Sequence, residues 1–320
     1  MKRFVILPLF LLVVASSAFA VRKESIRYGN MNQWVKRTIT ESSILGGQTK
    51  TIYEIAPSAT IVGEKAYTNL GASPWATSNV YAKVCGVVKV SGSVCCEKRS
   101  EGNFCAKMST IYEHVKALGI INMDVLVSGS IFLGQVIEPV SSTKNPYSNM
   151  EMGMPYTKRP DYLVFDYKVT VPSGQKVYSS GFGSKKNLSG QDYAEVYVLL
   201  QYRWEDAKGN LHAKRVGTGR ERFGHTVANW QNNHMMPIHY GDITKQSYYK
   251  SYMGILPESS CPYARNSKGK LVKVIEEGWA EEGTQPTHVM MMASSGCGTP
   301  YTGVVGMTFW IDNVAFGFDK

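Results

Sequence analysis

Beyond residue 20 the chain shows no long segment with the 3.6-residue apolar repeat of an amphipathic helix, and segment after segment alternates with period two instead. Leu163, Phe165, Tyr167, Val169 and Val171 share one face, with Asp166, Lys168 and Thr170 on the other. Between Tyr193 and Glu205, Ala194, Val196, Val198, Leu200, Tyr202 and Trp204 face one way. Glu195, Tyr197, Gln201 and Arg203 face the other, together with Leu199. This predicts a strand that is apolar behind and polar-aromatic in front.

Further strands are predicted at Val80–Val90, Val94–Lys98, Phe104–Ile111, Asp124–Ile137, Leu211–Thr218, His288–Ala293 and Val304–Phe318. Ser91-Gly92-Ser93 and Glu101-Gly102-Asn103 read as hairpin turns, which makes Val80–Ile111 a three-stranded meander; Asp206–Asn210 reads as another turn. Strands joined by Gly, Asn and Ser turns, without the helices of a βαβ repeat, predict an all-β fold. The expected architecture is an antiparallel two-sheet jelly-roll sandwich with long loops and at most short helices, at Thr226–Asn233 or Gly241–Tyr252. Ser141–Pro160 is rich in Pro and small polar residues, but the strand pattern continues beyond it. It is read as a long surface loop inside one β-sandwich domain spanning residues 21–320.

Met1-Lys2-Arg3, the apolar run Phe4–Ala15 and the small residues Ala18-Phe19-Ala20 match a secretory signal peptide, residues 1–20, cut after Ala20. The run is shorter than the roughly 20 residues that span a bilayer, and no later segment is apolar enough to do so. Val21 follows the cut in place of a lipid-accepting Cys. An exported product is expected, periplasmic or extracellular, not an N-terminal lipoprotein, with no transmembrane segment in the mature chain. The formal charge is +10, but the basic residues are scattered among Tyr, Glu and Asp and form no runs. That argues against nucleic acid as a partner and leaves an acidic polysaccharide open. Six cysteines could form disulfides in an oxidising compartment or remain buried thiols. Adjacent Cys95 and Cys96 must point to opposite faces of a strand.

No GxSxG elbow, HExxH helix or phosphate-binding loop is present. Glu195 and Glu205 are too far apart along one strand for the roughly 5 to 10 Å between carboxyls that glycoside hydrolysis needs. Glu276-Glu277 and Glu281-Glu282 read as a solvated loop, and His225, His234 and His239 as loop histidines without a metal. A calcium site at a carboxylate such as Asp312 would suit the fold, but no pattern calls for one. No metal and no cofactor are expected. A sugar ring has an apolar CH face and a hydroxyl rim, so its sites combine aromatic platforms with directional polar groups. Trp75, Trp230, Trp279 and Tyr301 lie in loop-like sequence, and Arg159, Asp166, Glu195, Gln201 and Arg220 could supply polar partners. Trp204 and Trp310 lie inside strand patterns and are read as packed.

Tyr28–Trp34 and Trp310–Phe316 resemble the first and last strands of jelly-roll carbohydrate-binding modules. Pro74–Asn79, Thr157–Pro160 with the strand after it, and Pro286-Thr287-His288 leading to Tyr301-Thr302-Gly303 are similar to the putative carbohydrate metabolism domain, found in secreted proteins of Bacteroides-type bacteria. The resemblance covers nearly all of Ile26–Phe318. It implies a β-sandwich with a glycan-related role and transfers no catalytic residue. The resulting expectation is a non-catalytic glycan-binding protein whose ligand-binding residues are Trp75, Arg159, Asp166, Glu195, Tyr197, Gln201 and Trp230. Two alternatives stand beside it. One is a carbohydrate-active enzyme, a glycoside hydrolase or a polysaccharide lyase; the lyase would use a Tyr or His base and an Arg that neutralises a uronate. The other is a structural or adhesive envelope protein that pairs through sheet edges.

Overall fold

The computed structural model describes residues 21–117, 121–141, 145–174, 176–178 and 185–319. The predicted signal peptide at residues 1–20 lies outside them. Among the described residues the fold is all-β, with helical structure confined to short 3-10 turns. No helix among them is long and apolar enough to cross a membrane.

Two sheets dominate. The six-stranded sheet runs in the order Val227–Pro237, Tyr162–Thr170, Thr308–Phe318, Asn103–Ser109, Val94–Ser100, and Arg22–Ser25 pairs with Thr308–Phe318. In the second, ten-stranded sheet, Ala194–Glu205 lies between His288–Ser294 and Leu211–Phe223. Leu163, Phe165, Val169, Phe309 and Ile311 of the first sheet and Val196, Val198, Leu200, Val289 and Met291 of the second are all fully buried in one core. Burial of each such side chain contributes about 1.5–3 kcal/mol before entropy is charged against it. The predicted inner face of Ala194–Glu205 is therefore correct as far as Leu200.

The second sheet also returns on itself. Leu271–Trp279 pairs in parallel with Leu211–Phe223, and pairing continues through Tyr263–Arg265 and Met150–Met152 to Ser130–Val136. Ser130–Val136 then pairs with His288–Ser294, so seven strands close a ring. The predicted front of Ala194–Glu205 faces into this ring. Leu199, Phe132, Met152 and Met290 form an apolar layer there. Next to it Arg215 chelates Glu276 through Nε (2.7 Å) and Nη2 (2.5 Å), while Gln201 Nε2 donates to Glu276 Oε1 at 2.6 Å. Arg203 Nε donates to Gln201 Oε1, and both its terminal nitrogens donate to Met152 O.

Several local expectations are corrected. Thr226–Asn233 is not helical: Val227–Pro237 is a strand, because pairing with Tyr162–Thr170 outweighs its weak helical pattern. In Gly241–Tyr252 the helical structure is limited to the 3-10 turn Ser251–Met253. Val80–Val90 is itself a hairpin, Val80–Val84 with Val87–Ser91, turning at Cys85-Gly86, where both residues have positive φ. Ser91-Gly92-Ser93 does not turn a hairpin. It carries the chain from one sheet to another, and Asn79 Oδ1 takes the N–H groups of Ser93 and Val94. Tyr28–Trp34 is a turn up to the start of the strand Trp34–Thr40. Glu276 belongs to a strand and is buried by its pairing with Arg215, not solvated. Glu101-Gly102-Asn103 and Asp206–Asn210 turn hairpins as predicted.

Candidate functional site

The long strand Ala194–Glu205 changes its surroundings at a bulge. Leu200 pairs with Gly217 but Gln201 pairs with Arg215, so Val216 is inserted opposite the step. Past it, Tyr202 and Trp204 keep the parity of Leu200 yet leave the core: Tyr202 is 43% exposed and Trp204 half-buried. Their rings lie 6.1 Å apart, tilted at 36°. With Lys214, Ala280, Glu281 and Thr284 they line a cleft of about 370 Å³, within the size range of small-ligand sites. Trp204, expected to be packed, instead forms a wall of this cleft and lies outside the buried core cluster.

The Trp204 ring is held from the neighbouring strand. His212 stacks on Trp204 (5.4 Å, 16°) and lies within ion-pairing distance of Asp206 and Glu277, at 3.5 and 2.6 Å. The opposite wall, the loop after Trp279, is tied at both ends to the long strand pair. Ala280 N–H donates to Arg215 O and Thr287 N–H to Gln201 O, each at 2.9 Å. Arg159 Nη1 donates to Thr284 O at 2.5 Å, and its guanidinium lies 4.1 Å over the Tyr240 ring. The cleft thus presents two aromatic faces with an ammonium, a carboxylate and a hydroxyl at its rim. No cluster of metal-ligating side chains occurs among the described residues.

The residues singled out from sequence fall in five places. Trp75 is fully buried in the sandwich core, with Nε1 bonded to Arg27 O; the apparent loop is the strand Trp75–Thr77 paired with Ser130–Val136. It offers no ring face to solvent. Gln201 is fully buried inside the ring, its amide oxygen and nitrogen both engaged. Asp166 and Trp230 are together, on the outer face of the six-stranded sheet. Arg99 bridges Asp166 and Asp312 at 2.7 and 2.6 Å, and Trp230 lies 4.1 Å from its guanidinium. Burial works to raise the Asp166 pKa, but Asn233 N–H, the Asn313 amide and Arg99 outweigh it and hold the carboxyl below its usual range. The Asp312 carboxylate, considered for calcium, is taken by Arg99. Trp310, also expected to be packed, is half-buried on this outer face, with Lys168 4.4 Å from its ring.

Glu195 and Tyr197 form the fourth place, at one end of the ring. Glu195 is buried and takes Arg220 Nη2 at 2.8 Å and Arg222 Nε at 2.6 Å. Arg220 lies 5.3 Å from the Tyr197 ring, and Arg222 4.4 Å from that of Tyr252. The predicted open sheet face is thus divided, since the ring strands roof it from Leu199 onward. Arg159 buttresses the cleft from behind, and Tyr202, Trp204, Lys214, Glu281 and Thr284 escaped the sequence reading. A signal for two of them was present: aromatic residues on the inner parity within a few residues of the Asp206–Asn210 turn, where a strand outruns its partner sheet.

This fold defines an all-β protein built on two packed sheets. The family model described as Putative carbohydrate metabolism domain matches residues 49–260, and the chain belongs to that family. Among solved structures it is similar to one described as a putative glycoside hydrolase from Bacteroides thetaiotaomicron, at 15% identity and a TM-score of 0.45, covering 86% of this chain and 76% of that one. It is also similar to one so described from Bacteroides vulgatus, at 13% identity and a TM-score of 0.45, covering 94% and 96%. No curated protein matches.

Proposed function

We propose that the protein is a non-catalytic glycan-binding protein, acting outside the cytoplasm, that stacks a neutral sugar on Tyr202 and Trp204. The observation that carries this reading is the pair of solvent-facing rings, one of them backed by His212, across a cleft whose rim carries Lys214, Glu281 and Thr284. Ring faces bury the CH side of a pyranose, and the rim groups accept and donate to its hydroxyls. A preformed platform spares the entropy of ordering side chains on binding. Membership of a carbohydrate-related family agrees with this use. Export rests on residues 1–20.

The test is a glycan array followed by titration calorimetry of the hits against the wild type and Trp204→Ala. Loss of one stacking face, worth about 0.5–1.5 kcal/mol beyond the buried area, should weaken binding about tenfold. Equal affinity of W204A and wild type, or a wild-type array with no signal above background, would refute the proposal. Release of new reducing ends from a bound polysaccharide would replace it with the hydrolase reading.

A further inference from the structure

The end of the strand ring opposite the cleft carries two arginines that share one bonded carboxylate. Arg220 and Arg222 lie two residues apart on one face of Leu211–Phe223, opposite Tyr197 and Glu195. Among the described residues Glu195 is the one carboxylate bonded to either guanidinium. Two positive charges share one negative charge. Arg220 is mostly buried, and its Nε, itself without accessible surface, has no hydrogen-bond partner among the described residues, which costs free energy. Arg222 is 24% exposed, and Nε is its bonded nitrogen. Three tyrosines lie around the pair: Tyr197, Tyr252 and, near enough to feel the charges of both Glu195 and Arg220, Tyr147. Burial pushes all three phenols above their usual pKa, so they stay protonated and able to donate hydrogen bonds.

We infer that this arginine–tyrosine niche binds a carboxylate-bearing sugar residue, a uronic-acid unit, independently of the aromatic cleft. A carboxylate matches the flat fork of a guanidinium, can accept from the terminal nitrogens of the partly exposed Arg222 and offsets the positive charge of the pair. Tyrosine rings and hydroxyls suit the rest of a pyranose. The protonated phenols can donate hydrogen bonds to the sugar's carboxylate and hydroxyls.

The experiment is calorimetric titration of the full chain with digalacturonate, diglucuronate and dimannuronate, and separately with inorganic sulfate, at low and at 0.5 M NaCl. Saturable binding of at least one uronate dimer is expected, weakened tenfold or more by Arg222→Gln and by high salt, and unchanged in W204A. Tyr252→Ala, which leaves both guanidiniums in place, should weaken the same dimer, and thermal melts establish that both variants fold. No saturable uronate binding, an unaffected R222Q, or sulfate matching the best dimer would overturn the inference. None of these outcomes bears on neutral-sugar binding at the cleft.

Discussion

Glu54 is buried against Arg37, whose Nη1 lies 3.0 Å from it and whose Nη2 pairs with Glu138 at 2.5 Å. Burial, reinforced by the neighbouring Glu138 charge, outweighs the pull of Arg37 and pushes the Glu54 carboxyl up to about 8, from 4.5. Between those two pH values the folded protein holds a proton that the unfolded chain releases, so this group's contribution to stability falls as pH rises through the window. The melting temperature of the wild type should therefore drop relative to that of Glu54→Gln between pH 5 and 8.5; parallel curves would refute the assignment. The Arg215–Glu276 pair behaves differently. Burial again works to raise the Glu276 pKa, but the Arg215 charge and its hydrogen bonds hold it below the usual range. Removing one member leaves a buried charge alone, so Glu276→Ala should cost about 3–5 kcal/mol in denaturant unfolding.

At the scale of elements, the ring depends on a close backbone approach at Gly134. Gly134 has φ of +148°, and a Cβ built there would lie 2.0 Å from Glu151 O, the strand against which it pairs. Gly134→Ala should force Ser130–Val136 away from Met150–Met152 and destabilise the fold by about 1–3 kcal/mol. Amide exchange should quicken in those two strands before it does in Tyr162–Thr170; uniform exchange would show that the ring is not a separate element. The bulge at Gln201 matters equally, since it ends the buried stretch and sends Tyr202 and Trp204 into the cleft. Alternation alone shows which residues share a side of a strand. It does not show where the opposing sheet stops.

Across the whole molecule all six cysteines are free thiols: Cys85 is exposed, Cys105 and Cys261 are buried, and Cys95, Cys96 and Cys297 lie between. Cys96 packs against the core and Cys95 lies on the other face of its strand, as adjacency in a strand requires. Burial pushes the Cys105 thiol up to about 12 and that of Cys96 to about 11, which lowers their reactivity. A thiol reagent at neutral pH should modify Cys85 first in the native protein and all six in denaturant, and reductant should leave the melting temperature unchanged. A melting shift on reduction would reveal a cross-link.

The strand alternation, the turns at Glu101–Asn103 and Asp206–Asn210, and the inner face from Ala194 to Leu200 were legible in the residues because they depend on local backbone geometry and on the period of a pleat. The ring was not. It is closed by strands as short as Tyr263–Arg265 and Met150–Met152, which have too few residues to show a period and are placed by what packs on them. The ring in turn decides that Gln201 is structural, while the packing of one sheet on the other decides that Trp75 is core and that Glu195 and Tyr197 belong to a different surface from Asp166 and Trp230. Residue chemistry therefore announced a β-sandwich whose strands carry both aromatic and polar side chains. Which of them meet at one surface depends on burial by sequence-distant strands, a property that no residue carries by itself.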